Sequence, residues 1–288
     1  MQGYPTIDTL VKQVRDVRPL GLVATKVIQL TEGERFSAHE LATLISSDQA
    51  LTAKTLRLAN SAYYGFPRRI TTVRDAVVLL GFRAVRAATL ATCLVDAFPG
   101  TNTLDYQPFW QSSLAVGTTA ELLARAEGAR YDEAFTAGVL HNIGMLVLDQ
   151  AVPRGFAEAV ALWREALGRE GQISLDDAER SILGFTDTEF GAALTEQWGF
   201  PESLVDAVRR HTLNADALPD RGSLAAYVVR ARVFVRASGL SDGIDRQPPT
   251  EPAEEWAVPP LSVALNRSGG IEGLLERVEA FMDSAVPV

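Results

Sequence analysis

Cysteine, histidine and lysine are all scarce in this sequence. Cys93 is the single cysteine among 288 residues, which excludes an intrachain disulfide and a zinc site built from several thiolates. No uninterrupted apolar run reaches the roughly 18 residues that a membrane span needs. The first residues also lack the basic start and apolar core of a signal peptide. We therefore expect a cytoplasmic protein without a membrane segment.

The charge balance is acidic. The formal net charge is −9, and only three of the 27 cationic residues are lysine. Because phosphate contacts need clustered cations, this balance argues against a large non-specific nucleic-acid footprint. Apolar residues make up 47% of the chain and charged residues 22%, which is ordinary for a globular protein with one large or two small domains.

Helical periodicity dominates the chain and strand-like alternation is almost absent, which predicts an all-α fold. Helix starts are indicated by a capping box over residues 37–40 and by Asp48, Thr72 and Ser174. One helix is expected over 131–149. A proline-rich loop over 241–260 and a terminal amphipathic helix over 271–285 should follow. The other predicted helices are 49–61, 82–97, 106–127, 154–169, 187–198, 201–211 and 222–239.

Four stretches of the sequence carry a family resemblance. They are LATLISSDQALTAKTLRLANSAYYG at 41–65, TVRDAVVLLG at 72–81, AGVLHNIG at 137–144, and LGFTDTEFGAALTEQWGFP at 183–201. In this order and spacing they resemble the HDOD domain, the HD-related output domain of bacterial signalling proteins. The resemblance covers about residues 18–240.

The resemblance implies an N-terminal helical subdomain, residues 1–100, packed on a degenerate HD-like helical bundle, residues 101–288. It also implies a bacterial regulatory role. Partners would then be other signalling proteins, among them receiver domains or cyclic-dinucleotide enzymes, or a small anionic ligand.

An HD site gathers several His and Asp metal ligands from different helices, and the resemblance locates their positions in this chain. Asn142 follows His141 where the family of hydrolases has an adjacent His-Asp pair. The whole set of vestigial positions is Ser112, His141, Asn142, Asp187, His211 and Arg232. Only two of the expected ligands are therefore retained as histidine.

Arg232 is the strongest objection to a metal at this site. A guanidinium is always charged and has no lone pair for a metal. At about 4 Å from a divalent ion and an effective dielectric of about 20, it would repel the ion by roughly 8 kcal/mol. We therefore predict no catalytic residue, no metal and no cofactor. His141 is interpreted as a core histidine bonded to a neighbouring helix, with Asn142 as an amide donor, and His211 as a helix C-terminal cap.

Three other functions stay open. A residual metal-dependent phosphohydrolase is the main alternative. The arginines Arg68, Arg69, Arg83 and Arg86 form a candidate partner or anion surface, against which stands an ordinary solvated helix face. A second group, Arg209, Arg210, Arg230, Arg232 and Arg236, could turn the old metal cavity into an anion site. Nucleic-acid binding through these arginines is the third alternative.

Overall fold

The computed structural model describes residues 4–17, 22–29, 38–61, 64–65, 67, 69–129, 131–167, 173–214, 217–218, 220–244 and 259–285. Every regular element in these ranges is a helix, which confirms the all-α prediction. In chain order the helices are α1 Ile7–Val17, α2 Leu22–Gln29, α3 Ala38–Ser46, α4 Gln49–Ala59, α5 Val73–Leu80, α6 Phe82–Ala97, α7 Tyr106–Ala126, α8 Tyr131–Leu140, α9 Ile143–Ala151, α10 Pro153–Ala166, α11 Leu175–Ile182, α12 Asp187–Gln197, α13 Glu202–Arg210, α14 Leu224–Ala237, α15 Leu261–Arg267 and α16 Gly270–Ala285.

Local capping signals predicted several helix starts correctly. Asp48 accepts a hydrogen bond from the amide of Leu51 at 2.9 Å and begins α4. Thr72 caps α5 in the same way, and Ser174 forms a reciprocal capping box at the start of α11. These side chains satisfy amide groups that the first helical turn leaves without a partner. The box predicted over 37–40 begins at a residue outside the described ranges.

The prediction of one helix over 131–149 is wrong. Helix α8 ends at Leu140 and α9 begins at Ile143, so His141 and Asn142 form the turn between them. The Nδ1 atom of His141 lies 2.6 Å from the carbonyl oxygen of Gly138. In a continuous helix that oxygen would accept from the amide of Asn142. The imidazole therefore occupies the position that would carry the helix onward.

Other elements had no prediction. Helices α1, α2 and α15 were not anticipated. Of the loop predicted over 241–260, residues 245–258 lie outside the described ranges. The terminal helix is present as α16, anchored by the buried side chains of Leu274, Val278 and Phe281.

Two helix crossings are closed by glycine. A Cβ on Gly138 would lie 2.6 Å from the Cα of Gly117, where α8 crosses α7. A Cβ on Gly144 would lie 1.9 Å from the carbonyl oxygen of Asp187, where α9 crosses α12. Real side chains never approach this closely, so both crossings require a residue without one. They bring the 141–142 turn against the start of α12.

Helix α7 lies at the centre of the second half of the chain and packs on α8, α14, α15 and α16. Contacts also join the two predicted subdomains, because α1 packs on α12 and α16 packs on α4. The division at residue 100 stays a prediction. Among the helices described, no single one is long and apolar enough to cross a membrane. The segments Glu133–Ala151 and Pro153–Ala166 meet the length and hydropathy requirement only when taken together, and their axes are bent by 117° at the break between them.

Candidate functional site: the buried His141–His211 cluster

All six vestigial positions are buried. Ser112 lies in α7, His141 and Asn142 in the α8–α9 turn, Asp187 at the first position of α12, His211 at the end of α13, and Arg232 in α14. Their exposed fractions run from 1% for His141, Asp187 and His211 to 8% for Arg232. The rings of His141 and His211 pack together, and Arg232 bonds the backbone of His211. We call these three residues the histidine cluster.

The two histidines pack edge to face. Their ring centroids are 5.0 Å apart and the ring planes cross at 84°. The Nδ1 atom of His211 lies 2.7 Å from the carbonyl oxygen of Val208, which matches the bond between His141 and Gly138. A carbonyl oxygen only accepts, so each Nδ1 carries the hydrogen and donates. The neutral form of each ring then has its lone pair at Nε2.

These bonds bear on both predictions for the histidines. His211 is the C-cap residue of α13 and bonds a carbonyl of its last turn, as predicted. His141 bonds the carbonyl oxygen of Gly138 in the last turn of α8, the helix that precedes it, and its ring packs on His211 at the end of α13. The predicted hydrogen bond to a neighbouring helix stays a prediction.

Arg232 approaches the cluster from α14. Its Nη1 atom donates to the carbonyl oxygen of His211 at 3.0 Å. A positive charge at the C-terminus of a helix stabilises the exposed carbonyl groups there. The guanidinium therefore ties α14 to the end of α13, at the residue that carries one of the two remaining imidazoles.

Asp187 is held through its backbone. Its amide donates to Oε2 of Glu179 at 2.8 Å, and Glu179 is fully buried on α11. Its carbonyl oxygen lies against Gly144 of α9. A capping box between Thr186 and Glu189 fixes the same helix start. Asp187 is thus a residue of a rigid helix N-terminus, where the helix dipole favours its negative charge.

Asn142 is the N-cap of α9, yet its side chain makes no capping hydrogen bond. Its Oδ1 atom is buried and has no hydrogen-bond partner within the described residues. The predicted role of Asn142 as an amide donor concerns its Nδ2 group and stays a prediction. An ionised Asp in the same place would cost more to bury.

A divalent metal does not fit the residues present. Within the described ranges, no group of three or more His, Cys, Asp and Glu side chains is arranged to hold one. The two imidazoles offer nitrogen ligands. The buried guanidinium of Arg232, however, is bonded to the backbone of His211, which carries one of these imidazoles. Hard divalent ions prefer several oxygen ligands without a cation beside them. The cluster therefore supports no chemical step that runs through a metal.

The arginines outside the cluster correct one expectation. Arg86 is only 7% exposed, so it does not belong to the surface predicted with its neighbours; Arg69 is exposed. The side chains of Arg68 and Arg83 lie outside the described residues.

Two members of the second arginine group form ion pairs, and the anion site predicted for the whole group stays a prediction. Arg210 pairs with Asp206 at 2.8 Å on its own helix, and Arg230 pairs with Glu127 at 2.9 Å. Each of these guanidinium groups therefore has its own carboxylate.

Sequence reasoning missed two buried carboxylates. Asp149 accepts the amides of Asn102 and Thr103 at 2.5 and 2.6 Å and so fixes the loop before α7. Glu179 holds the start of α12. Both were detectable as single acids on the apolar face of a helix, a position where a charge needs a partner.

A bundle of helices that buries an adjacent His and Asn at an interhelical turn, facing a second His, defines an HD-related helical domain. The chain belongs to the HDOD domain family, which matches residues 18–213. The matched range ends before α14, so the assignment of Arg232 to the last ligand position stays a prediction.

Three relatives illustrate the similarity. An HDOD domain protein of unknown function from Geobacter sulfurreducens is 26% identical, with 96% of this chain and 93% of that chain covered and a TM-score of 0.72. A candidate phosphohydrolase from Shewanella amazonensis is 25% identical, with 96% of both chains covered and a TM-score of 0.71. An uncharacterised protein from Treponema pallidum is 25% identical over 230 residues, which are 79% of this chain and 44% of that protein. The chain thus spans under half the length of this curated relative.

Proposed function

We propose that this protein is a non-catalytic regulatory module of bacterial signal transduction that acts by binding rather than by turnover. One observation carries the proposal: the guanidinium of Arg232 is bonded to the carbonyl of His211 in the region where an HD hydrolase gathers carboxylates around its metal. Without a metal there is no activated water at neutral pH and no Lewis acid for a phosphate.

Contact with another signalling protein is supported by the surface of α5. Val78 and Leu79 are neighbours on this helix and are 71% and 53% exposed. Leu79 also lines a cavity of about 220 Å³, whose walls include Leu80, Tyr131 and Phe135. The cavity wall also carries Glu121, Arg125 and Arg277. Large exposed apolar side chains beside a cavity with charged groups at its wall are typical of a protein interface, which combines an apolar centre with a polar rim.

A residual metal phosphohydrolase is the second candidate. Both histidines donate from Nδ1 to a backbone carbonyl, which is the tautomer whose lone pair lies at Nε2, as in many histidine ligands of metals. The candidate phosphohydrolase from Shewanella amazonensis shares the fold at 25% identity. The two functions make opposite predictions for metal content.

The decisive measurement is metal analysis of the purified protein after exposure to Mn²⁺ and Zn²⁺, with a phosphodiesterase assay on a nitrophenyl diester. We expect well under one metal ion per chain and no turnover above the protein-free rate. Stoichiometric metal together with Mn²⁺-dependent turnover would overturn the non-catalytic proposal.

A matched pair of variants sharpens this measurement. Asn142→Asp with Arg232→Asp restores two carboxylates at the vestigial positions, and Asp206→Asn with Arg210→Gln changes an exposed ion pair as the control. If the Asn142→Asp, Arg232→Asp variant retained metal and the control variant did not, the two missing carboxylates would be the reason that the wild type binds none.

A further inference from the structure

The largest cavity that we describe lies away from the histidine cluster. It is an open groove of about 830 Å³ between α4 and α16. One wall is a face of α4 that includes Ala53, Leu56 and Arg57, and the opposite wall is formed by Ala280 and Asp283 of α16. Residues 69–71 line it as well. Its volume falls in the range of pockets that hold small molecules, about 300–1,000 Å³.

The walls of this groove are fixed before any ligand arrives. Asn60 closes a two-way bond with Ile70: its Nδ2 donates to the carbonyl oxygen and its Oδ1 accepts from the amide, both at 2.7 Å. This bond holds residues 69–71 against α4. On the other side, Val278 and Phe281 are fully buried and anchor α16. A preformed site loses little entropy on binding.

The chemistry of the lining is amphipathic and cationic. Leu56, Ile70 and the alanines of the two helices offer apolar surface. Arg57 and Arg69 add two positive charges, and Asp283 adds one negative charge. Neither guanidinium forms an ion pair with a carboxylate in the described part of the chain, whereas Arg125, Arg154, Arg180, Arg210 and Arg230 each do.

We propose that the α4–α16 groove binds a small amphipathic anion, with an apolar body along α4 and a carboxylate, phosphate or sulfonate group at Arg57 and Arg69. The inference rests on the proposed function, since it names the site through which a binding module would receive its signal. It needs neither the histidine cluster nor a metal, so the two proposals can fail separately.

The test uses two fluorescent probes that share an apolar body. 1-Anilinonaphthalene-8-sulfonate carries one anionic group, and N-phenyl-1-naphthylamine lacks it. We expect the wild type to bind the sulfonate probe more tightly than the neutral probe. Binding of the sulfonate probe should weaken as the salt concentration rises, because exposed charges are screened.

Three variants locate the binding. The double variant Arg57→Gln with Arg69→Gln should lower the affinity for the sulfonate probe roughly tenfold, equivalent to about 1.4 kcal/mol. Its affinity for the neutral probe should not change. Ala53→Trp places a large side chain at an exposed position of the groove and should displace both probes. Asp283→Asn removes the opposing charge and should tighten the sulfonate probe a few-fold.

The control is Arg209→Gln with Arg267→Gln, two exposed arginines outside the groove. This control should leave the affinities for both probes unchanged. Circular dichroism should show that every variant is folded. Sulfonate binding that survives Ala53→Trp would overturn the proposal. Equal binding of both probes, insensitive to Arg57 and Arg69, would overturn the anionic class. Absence of binding by either probe would also overturn it and would leave the groove to a macromolecular partner.

Discussion

The histidine cluster and the α4–α16 groove differ in what their polar groups contact. In the cluster, the Nδ1 atoms of His141 and His211 and one nitrogen of Arg232 are bonded to backbone carbonyls in a solvent-excluded interior. In the groove, Arg57 and Arg69 are exposed and line an open volume of about 830 Å³. The polar groups of the cluster are thus bonded to the backbone, whereas the guanidinium groups of the groove are exposed.

The difference predicts that changes at the cluster alter stability first, whereas changes at the groove alter binding first. Polar groups that are buried and bonded cost free energy when their partners are removed. Exposed charges contribute little to folding and act on ligands and partners. The predictions below test this division, beginning with the largest expected effect.

Gly144→Ala should destabilise the protein most. The new Cβ would lie 1.9 Å from the carbonyl oxygen of Asp187, so the α9–α12 crossing must open. Overpacking of a rigid interior by backbone contact should lower the free energy of unfolding by roughly 3 kcal/mol or more. Urea unfolding followed by circular dichroism measures this change.

Gly222→Ala is the control for that substitution. The nearest atom to its Cβ would be Oδ1 of Asp220 at 3.4 Å, an ordinary contact at an exposed site. Its effect should stay within about 0.5 kcal/mol. Equal effects of the two substitutions would show that the crossing at Gly144 is looser than the structure has it.

Arg232→Met should lower stability by about 1–3 kcal/mol, because the carbonyl of His211 then loses a charged donor inside the protein. Thermal and urea unfolding should agree on the loss. Arg209→Met, on the exposed side of α13, should be close to neutral. Should Arg232→Met leave stability unchanged, the guanidinium would not be the structural tie that separates this cluster from a ligand site.

The contrast between these regions was only partly readable from the sequence. The starts of α4, α5 and α11 were predictable, since a cap bonds an amide three residues away. The break at His141 was not, because helical periodicity does not show that the imidazole would bond the carbonyl oxygen of Gly138. The groove was invisible because its walls come from α4, residues 69–71 and α16, which only the fold brings together.

Asn60→Ala tests the groove from the side of its architecture. The substitution removes the two-way bond to Ile70 and should cost about 1–2 kcal/mol of stability. It should also weaken sulfonate-probe binding, because residues 69–71 are then no longer held. Asn60→Asp keeps the acceptor for the amide of Ile70 and should show an intermediate loss of both. Unaltered binding after Asn60→Ala would mean that this loop does not form part of the binding surface.

Cys93 gives the smallest effect and reports on α6, which packs on both α4 and α8. Burial, with a smaller contribution from Asp96, raises the pKa of its thiol from 9.0 to about 12. The folded state therefore favours the neutral thiol, and the stabilisation this provides is complete below pH 9 and is lost as the pH rises from 9 towards 12. By pH 10 the free energy of unfolding of the wild type should have fallen by roughly 1 kcal/mol more than that of Cys93→Ala. Parallel pH profiles for the two proteins would mean that the thiol is solvated in the folded state.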